Sequence, residues 1–481
     1  MERKNAWEKY EEGSKDYKKL MTFGEDYRKF LSSHKTEREC TEFFVENCDF
    51  KNLDDIIKSG KKLKAGDRVY RNNRGKGLAM FVIGKRPLEE GMNILGAHID
   101  SPRMDLKQNP MYEDTDLVLL DTHYYGGVKK YQWVTLPLAL HGVVCKKDGT
   151  KVVVNIGEDP KDPVVGVSDL LIHLAGDQME KKASKVVEGE ALDVLIGSRP
   201  LTDKLLDELF PETKGKKKDE NNQRDEAKKE RVKYNILRLL KDKYDFEEED
   251  FLSAEIEVVP AGEARDYGLD RSMIMGYGHD DRVCAYPSFR AICEMKTPER
   301  TSACLLVDKE EIGSVGATGM ESRFFENTVA ELFEAMGDYS ELKVRRALAG
   351  SKALSSDVSA AYDPNYPNVM DKKNAAYFGR GLVLNKYTGS RGKSGSNDTS
   401  AEFVGEVRKV FDDSKVYFQT AELGKVDQGG GGTIAYILGN YAMSVIDSGV
   451  AVLNMHAPWE IISKVDLYEA YLGYIAFLKN A

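Results

Sequence analysis

The chain has 481 residues, 41% hydrophobic and 31% charged, which excludes a fibrous or disordered protein and leaves room for one large core plus a second unit. A formal net charge of -10 and a pI near 5.5 exclude nucleic acid as the main partner, because phosphate binding needs a net basic footprint. Six cysteines (Cys40, Cys48, Cys145, Cys284, Cys293, Cys304) form no CxxC pair, which argues against a thiolate zinc site and a secreted disulfide framework, so any metal must be held by His, Asp and Glu.

The opening MERKNAWEKYEEGSKDYKKL mixes charges without an apolar h-region, and no run of about 18 apolar residues occurs, so a soluble cytoplasmic protein with no membrane partner is expected. From about Asn5 to Leu31, apolar and aromatic positions recur among charges and predict one or two amphipathic helices across a core surface. Strand texture begins at Arg68 and ends in Met92-Asn93-Ile94-Leu95-Gly96-Ala97-His98, an apolar run finishing in an imidazole. Between Lys107 and Phe251, short β segments are predicted at Leu117–Leu120, Val134–Leu140, Val143–Val144 and Val152–Ile156, separated by Gly, Pro and Asp turns. This texture predicts a β-rich insert over 107–251. Its charged end, Glu212 to Lys233, reads as a solvated loop or exposed helix face.

After Phe251, strands are predicted at Ala254–Val259, Ser272–Met275, Ser302–Val307 and Met443–Ile446, with helices near Val283–Met295, Thr399–Val410 and Val465–Lys479. Such alternation predicts an α/β domain built from residues 1–106 and 252–481, interrupted by the insert.

The strongest chemical signal is Leu305-Leu306-Val307-Asp308-Lys309-Glu310-Glu311-Ile312-Gly313-Ser314, an apolar strand running into paired carboxylates. Catalytic groups gather at the carboxyl ends of strands in open α/β sheets, and two adjacent acids on a turn can divide metal binding from proton transfer. In isolation the pair would read as exposed charge. Its companions change that reading: His98-Ile99-Asp100-Ser101-Pro102, Asp280-Asp281-Arg282, Ser355-Ser356-Asp357 and Asn454-Met455-His456-Ala457-Pro458-Trp459-Glu460, each placing a hard oxygen or an imidazole beside a predicted strand end. Two-metal hydrolases need a bridging carboxylate and about two terminal ligands per ion, and five residues meet that count: His98, Asp280, Glu311, Asp357 and His456.

In order and approximate spacing these motifs resemble the M18 (aspartyl aminopeptidase-like) metallopeptidases over nearly the whole chain, including Tyr125-Gly126-Gly127, Leu171-Ile172-His173-Leu174 and Pro364-Asn365-Tyr366. The resemblance implies an α/β metallopeptidase with a mixed-sheet sandwich and an inserted β-rich dimerisation domain. It further implies that Asp280 bridges two divalent ions, with His98 and Asp357 completing one site and Glu311 and His456 the other. Zinc is the first expectation for both ions, with manganese or cobalt as alternatives at one site. By the same resemblance Asp100 orients His98, Glu310 is the general base, and His173 reaches a neighbouring subunit's active site as a transition-state stabiliser. The implied reaction is release of N-terminal residues, acidic or neutral apolar, from short peptides by a metal-activated water. A dimer-based homo-oligomer, extending to a dodecamer, is the implied assembly.

Other features read differently. His279, beside Asp280 at an expected strand end where neighbouring residues point oppositely, is expected to point away from the metals, and His34, His123 and His141 lack ligand-spaced partners. The run Gly429-Gly430-Gly431-Gly432 lacks the Gly-Lys-Ser/Thr ending of a phosphate loop and suggests close backbone approach instead. By resemblance Lys386 and Arg391 border the substrate pocket. After Trp133 the chain has Val134-Thr135-Leu136-Pro137-Leu138, where better-known eukaryotic members carry a charged Asp-Arg-Asp-Leu run, so a preference for acidic N-terminal residues does not follow automatically. Rival readings are a dinuclear carboxypeptidase or deacylase, and a noncatalytic assembly protein that keeps the fold.

Overall fold

The apolar runs Met92–His98 and Thr301–Val307 are buried at every position, as strands covered on both faces must be. A computed structural model describes residues 4–211 and 218–481. In it the chain packs as two units, one formed by residues up to Ser101 together with Glu263–Ala481, the other by Pro102–Gly262.

The first unit is built on a nine-stranded mixed sheet. At its centre Thr301–Val307, Met92–His98, Lys352–Ser356 and Ser444–Gly449 lie side by side and parallel. Side chains alternate across this sheet. Ile94, Ala303, Leu305, Ala353 and Val445 enter one core, while Leu95, Ala97, Cys304, Leu306, Leu354 and Ile446 enter the other. The first core is closed by helices Phe324–Met336 and Glu341–Ala349, the second by helices Lys15–Ser33, His279–Cys293 and Lys464–Asn480. The result is the expected α/β sandwich.

Register decides what this sheet delivers. Val307 pairs with His98 and Ser356 with Ser448, so adjacent parallel strands release Asp308–Glu311, Ile99–Ser101 and Asp357 at one edge. A five-stranded sheet in the same unit supplies the rest. Its strands Met273–Gly276 and Glu460–Ser463 run antiparallel with Gly276 opposite Glu460, and Ala451–Leu453 turns back into Glu460–Ser463 through the loop carrying His456.

The second unit is a six-stranded antiparallel sheet, in the order Lys151–Ile156, Leu138–Cys145, Ala254–Pro260, Arg103–Asp114, Leu117–Tyr125, Val194–Gly197. The tight hairpin at Thr115-Asp116, with φ of 49° and 61°, joins two of these strands in the twist that two-residue loops favour. Two expectations are corrected here. Ala254–Val259 was assigned to the flanking α/β part, but Ala254–Pro260 pairs along its whole length with Leu138–Cys145 and belongs to this sheet, as does Arg103–Asp114. Val134–Leu140 and Val143–Val144 were expected as separate strands, but Leu138–Cys145 is continuous. Gly142 lies inside it, at a position that excludes a side chain, since a Cβ there would meet the Glu255 carbonyl oxygen at 1.9 Å. Of the charged stretch Glu212 to Lys233, residues 212–217 lie outside the described residues, and helices occupy Lys218–Lys229 and Arg231–Tyr244.

Among the described residues no helix is long and apolar enough to cross a membrane, and all six cysteines are free thiols.

Candidate metal centre

Five side chains from five segments of the first unit converge at the carboxyl edge of the central sheet. The ligand atoms of His98, Asp280 and Asp357 lie within 4.8 Å of one another, as do those of Asp280, Glu311 and His456, and those of His98, Glu310 and Glu311. Asp280 is common to the first two groups, and its oxygens divide between them. Oδ1 lies 3.1 Å from His98 Nε2, while Oδ2 lies 3.2 Å from His456 Nε2. Asp357 Oδ1 stands 3.9 Å from His98 Nε2, and Glu311 Oε1 3.6 Å from His456 Nε2. Donors arranged around one small cation at about 2.0–2.2 Å from each are spaced roughly 3.4 Å apart, so these separations suit a cation on either side of Asp280.

Local backbone explains the convergence. Helix His279–Cys293 opens irregularly: Asp280 and Asp281 have non-helical dihedrals, which turn the Asp280 carboxylate out of the helical path. His456 has φ of 65° in its hairpin turn, and Lys309 and Gly313, at φ of 68° and 95°, bracket the one-turn helix that carries Glu310 and Glu311.

The tautomer of His98 follows from its partner. Its Nδ1 lies 3.0 Å from the Asp100 carbonyl oxygen, which can only accept, so Nδ1 carries a proton; Nε2 faces Asp280 and Asp357, donating to Asp280 while the imidazole is charged and free to offer a lone pair to a cation once it is neutral. The Asp100 side chain, fully buried, adds a second restraint: Oδ1 is 3.3 Å from the same Nδ1. Its two oxygens also accept the backbone N–H groups of Glu310 and Glu311, each at 3.2 Å. Asp100 therefore orients an imidazole and anchors the acidic pair together.

The electrostatics are those of a crowded anionic pocket. Burial raises Glu310 to about 7, with the Asp100 and Asp280 charges adding to the rise and His98 and His456 opposing it. Burial also pushes Glu311 and Asp357 well above the usual carboxylate range. For Asp280, burial acts in the same direction but is outweighed by its hydrogen bonds to His456 and His98, which hold its carboxyl low. His98 shows the mirror image, with burial opposing its charge and the Asp100 and Asp280 bonds raising it. Glu311 Oε1 is buried without a hydrogen-bond partner. Buried carboxylates packed this closely are costly unless a cation shares them, and an N/O set of two imidazoles and three carboxylates fits divalent ions of the zinc class.

His279 takes no part. Its Nε2 is 3.2 Å from the Ile274 carbonyl oxygen and its Nδ1 2.8 Å from the Tyr27 hydroxyl, and burial lowers it to about 3, so it is a neutral core residue. It sits at a helix start rather than on the strand end where it was expected. His141 is likewise buried against Glu158, while His123 is exposed. His173 belongs to the second unit, on the exposed turn Ile172–Leu174, whereas among the described residues the groups that could hold a metal lie in the first unit. Lys386 pairs with Asp398 at 2.6 Å on the surface, and Arg391 is exposed. The first half of the glycine run is packed, since a Cβ on Gly429 would meet the Leu423 carbonyl oxygen at 1.6 Å and one on Gly430 the Gly389 carbonyl oxygen at 1.8 Å, whereas Gly432 has open space beside it. It leads into Thr433, whose hydroxyl donates to buried Asp447 beside the strand ends.

The residue that closes the Asn454-to-Glu460 motif has no role legible in the sequence but takes part in the geometry. Glu460, 1% exposed, receives backbone N–H groups from Asp280 at 3.0 Å and His456 at 2.7 Å. Burial lifts its carboxyl to about 8. A glutamate opening a strand carries no local signature of such a duty.

A family profile described as "Aminopeptidase I zinc metalloprotease (M18)" matches residues 30–478. A "Probable M18 family aminopeptidase 1" of Clostridium acetobutylicum is 61% identical over 482 residues, covering 100% of this chain and 98% of the relative. The crystal structure of aminopeptidase I from Clostridium acetobutylicum superposes with a TM-score of 0.89 at 60% identity, covering 100% of both chains. The solved mApe1 dodecamer of S. cerevisiae, 20% identical over 95% of this chain and 96% of its own, shares the fold with a TM-score of 0.71.

Proposed function

The chain belongs to the M18 family of zinc metalloproteases and is a metal-dependent aminopeptidase, and from that premise we propose how its residues divide the work. Asp280 would be shared by two divalent ions, zinc in the first instance with manganese or cobalt as alternatives at one position. His98 and Asp357 would hold one ion, and Glu311 and His456 the other. The observation that carries this reading is the split of the Asp280 carboxylate, one oxygen toward each histidine.

Bound ions supply Lewis acidity that eases ionisation of water and polarises the scissile carbonyl. Glu310 accepts the proton of the attacking water and passes it to the departing amine. It is suited to this because burial places its carboxyl near 7, where a group both takes and gives protons readily, and because its N–H is fixed by Asp100. Asp100 is a positioning residue for His98 and the Glu310-Glu311 turn.

The substrates in this reading are short peptides with a free amino terminus and an acidic or neutral apolar first residue, met in the cytoplasm. The second unit serves as the oligomerisation domain of a dimer-based assembly, extending to a dodecamer. His173 of each copy is offered to a neighbour's reacting carbonyl as a stabiliser. Support comes from the exposure of His173 among Leu171, Ile172 and Leu174, which are 54%, 67% and 69% exposed and would be covered by a second copy.

The test is Glu310→Gln, assayed on acidic and apolar aminoacyl substrates with and without a blocked amino terminus. Turnover should fall by about 100-fold to 10,000-fold with metal content intact. Wild-type-like turnover would remove Glu310 from the base role, and cleavage of blocked substrates would favour a deacylase.

A further inference from the structure

The metal centre contains two carboxylates that are not among the five ligands yet spend both oxygens on backbone N–H groups of ligand-bearing segments. Asp100 is one, serving the Glu310-Glu311 turn. Glu460 is the other, and it serves a different half of the site. Its Oε2 accepts from Asp280 N at 3.0 Å and its Oε1 from His456 N at 2.7 Å. Nothing it receives comes from His98 or Asp357.

Both recipients need such support. Asp280 lies in the non-helical opening of helix His279–Cys293, with ψ of 105°, so its N–H is not committed to a regular helical ladder. His456 stands at φ of 65°, a conformation costly for a residue with a Cβ, in the turn between Ala451–Leu453 and Glu460–Ser463. Glu460 itself is 1% exposed and opens a strand whose register places it opposite Gly276, just before the Asp280 segment. One rigid carboxylate therefore ties the main chains of two residues whose side chains approach each other at 3.2 Å.

We propose that Glu460 is a positioning residue that sets the ion site formed by Glu311, His456 and the facing oxygen of Asp280, and that it acts on that site more than on the one formed by His98 and Asp357. The inference rests on the two-ion reading given above. Loss of one acceptor frees the His456 turn or the Asp280 segment to relax, and the ion sharing both suffers first. The other ion keeps His98, Asp357 and the Asp100 restraint on His98.

The experiment is a titration of metal-stripped full-length protein with Zn²⁺, following bound zinc by equilibrium dialysis and mass spectrometry, for wild type, Glu460→Gln and Glu460→Asp. Gln keeps the shape but turns an N–H donor toward one of the two amides, whereas Asp keeps both acceptors and withdraws them by one methylene. The second zinc equivalent should weaken about 10-fold to 100-fold in Glu460→Gln, with the first within about twofold of wild type, and Glu460→Asp should fall between. Equal weakening of both equivalents, or two equivalents at wild-type affinity with only a lower melting temperature, would overturn the inference and make Glu460 a general stabiliser. If Glu460→Gln does not fold, Glu460→Asp carries the same comparison. A wild type that binds fewer than two zinc ions would instead sink the two-ion reading, an outcome distinct from failure of the Glu460 assignment.

Discussion

The two units break the ordinary distribution of residues in opposite directions. In the first, acids and imidazoles lie inside: Asp100, Asp280, His98 and Glu460 are each 3% exposed or less. In the second, apolar side chains lie outside, with Leu170, Leu171, Ile172, Leu174 and Met179 all more than half exposed. A buried charge calls for a counter-charge and an exposed apolar segment calls for a covering surface, so each anomaly names the kind of partner that would resolve it. In the proposed reading, catalysis goes with the buried polar groups of the first unit and assembly with the exposed apolar groups of the second.

Breaking the second anomaly should have the larger effect. Ile172→Asp combined with Leu174→Asp places charge in the surface that a second copy is proposed to cover. Dissociation should become easier by at least about 100-fold, or about 2.7 kcal/mol, as read by sedimentation over a concentration series. Specific activity should fall with the loss of assembly, because the contribution proposed for a neighbour's His173 would go with it. An unchanged assembly would detach the exposed segment from oligomerisation.

Sharpening the first anomaly gives a smaller, pH-dependent signal. Glu310 is raised from 4.5 to about 7 in the folded protein, so the fold holds its proton more tightly than the unfolded chain does. That contribution to stability is present below pH 4.5 and is lost as pH rises to about 7. A cation favours the ionised carboxylate and cancels the loss. The rise in melting temperature on adding zinc should therefore grow between pH 5 and 7, by an amount of the order of a few degrees. A rise that is flat across this window would mean that cation binding is not linked to the buried acids.

How much of this was legible follows from how local each signal is. His98, Glu310 and Glu311 sit at or just past strands whose apolar runs are continuous in sequence, Asp357 follows the mixed strand Lys352–Ser356, and parallel register brings those ends together. Asp280 and His456 were legible as motifs, but their meeting depends on irregular dihedrals and on the pairing of Gly276 with Glu460, which no local pattern encodes. For the same reason the duty of Glu460 was invisible. His279 was correctly set aside for an incorrect reason: both ring nitrogens are bonded elsewhere in the core, whereas the sequence argument relied on strand alternation that does not exist there. The insert's limits fell outside those expected because Arg103–Asp114 and Ala254–Pro260 are partners in one sheet, a relation set by long-range pairing rather than by texture.

The most direct measurement of the central claim is anomalous diffraction at the zinc edge from crystals of the zinc-loaded protein. The account predicts two peaks about 3.5–4 Å apart, one on each side of the Asp280 carboxylate, the first beside His98 and Asp357 and the second beside Glu311 and His456. A single peak, or a pair that does not share Asp280, would contradict it.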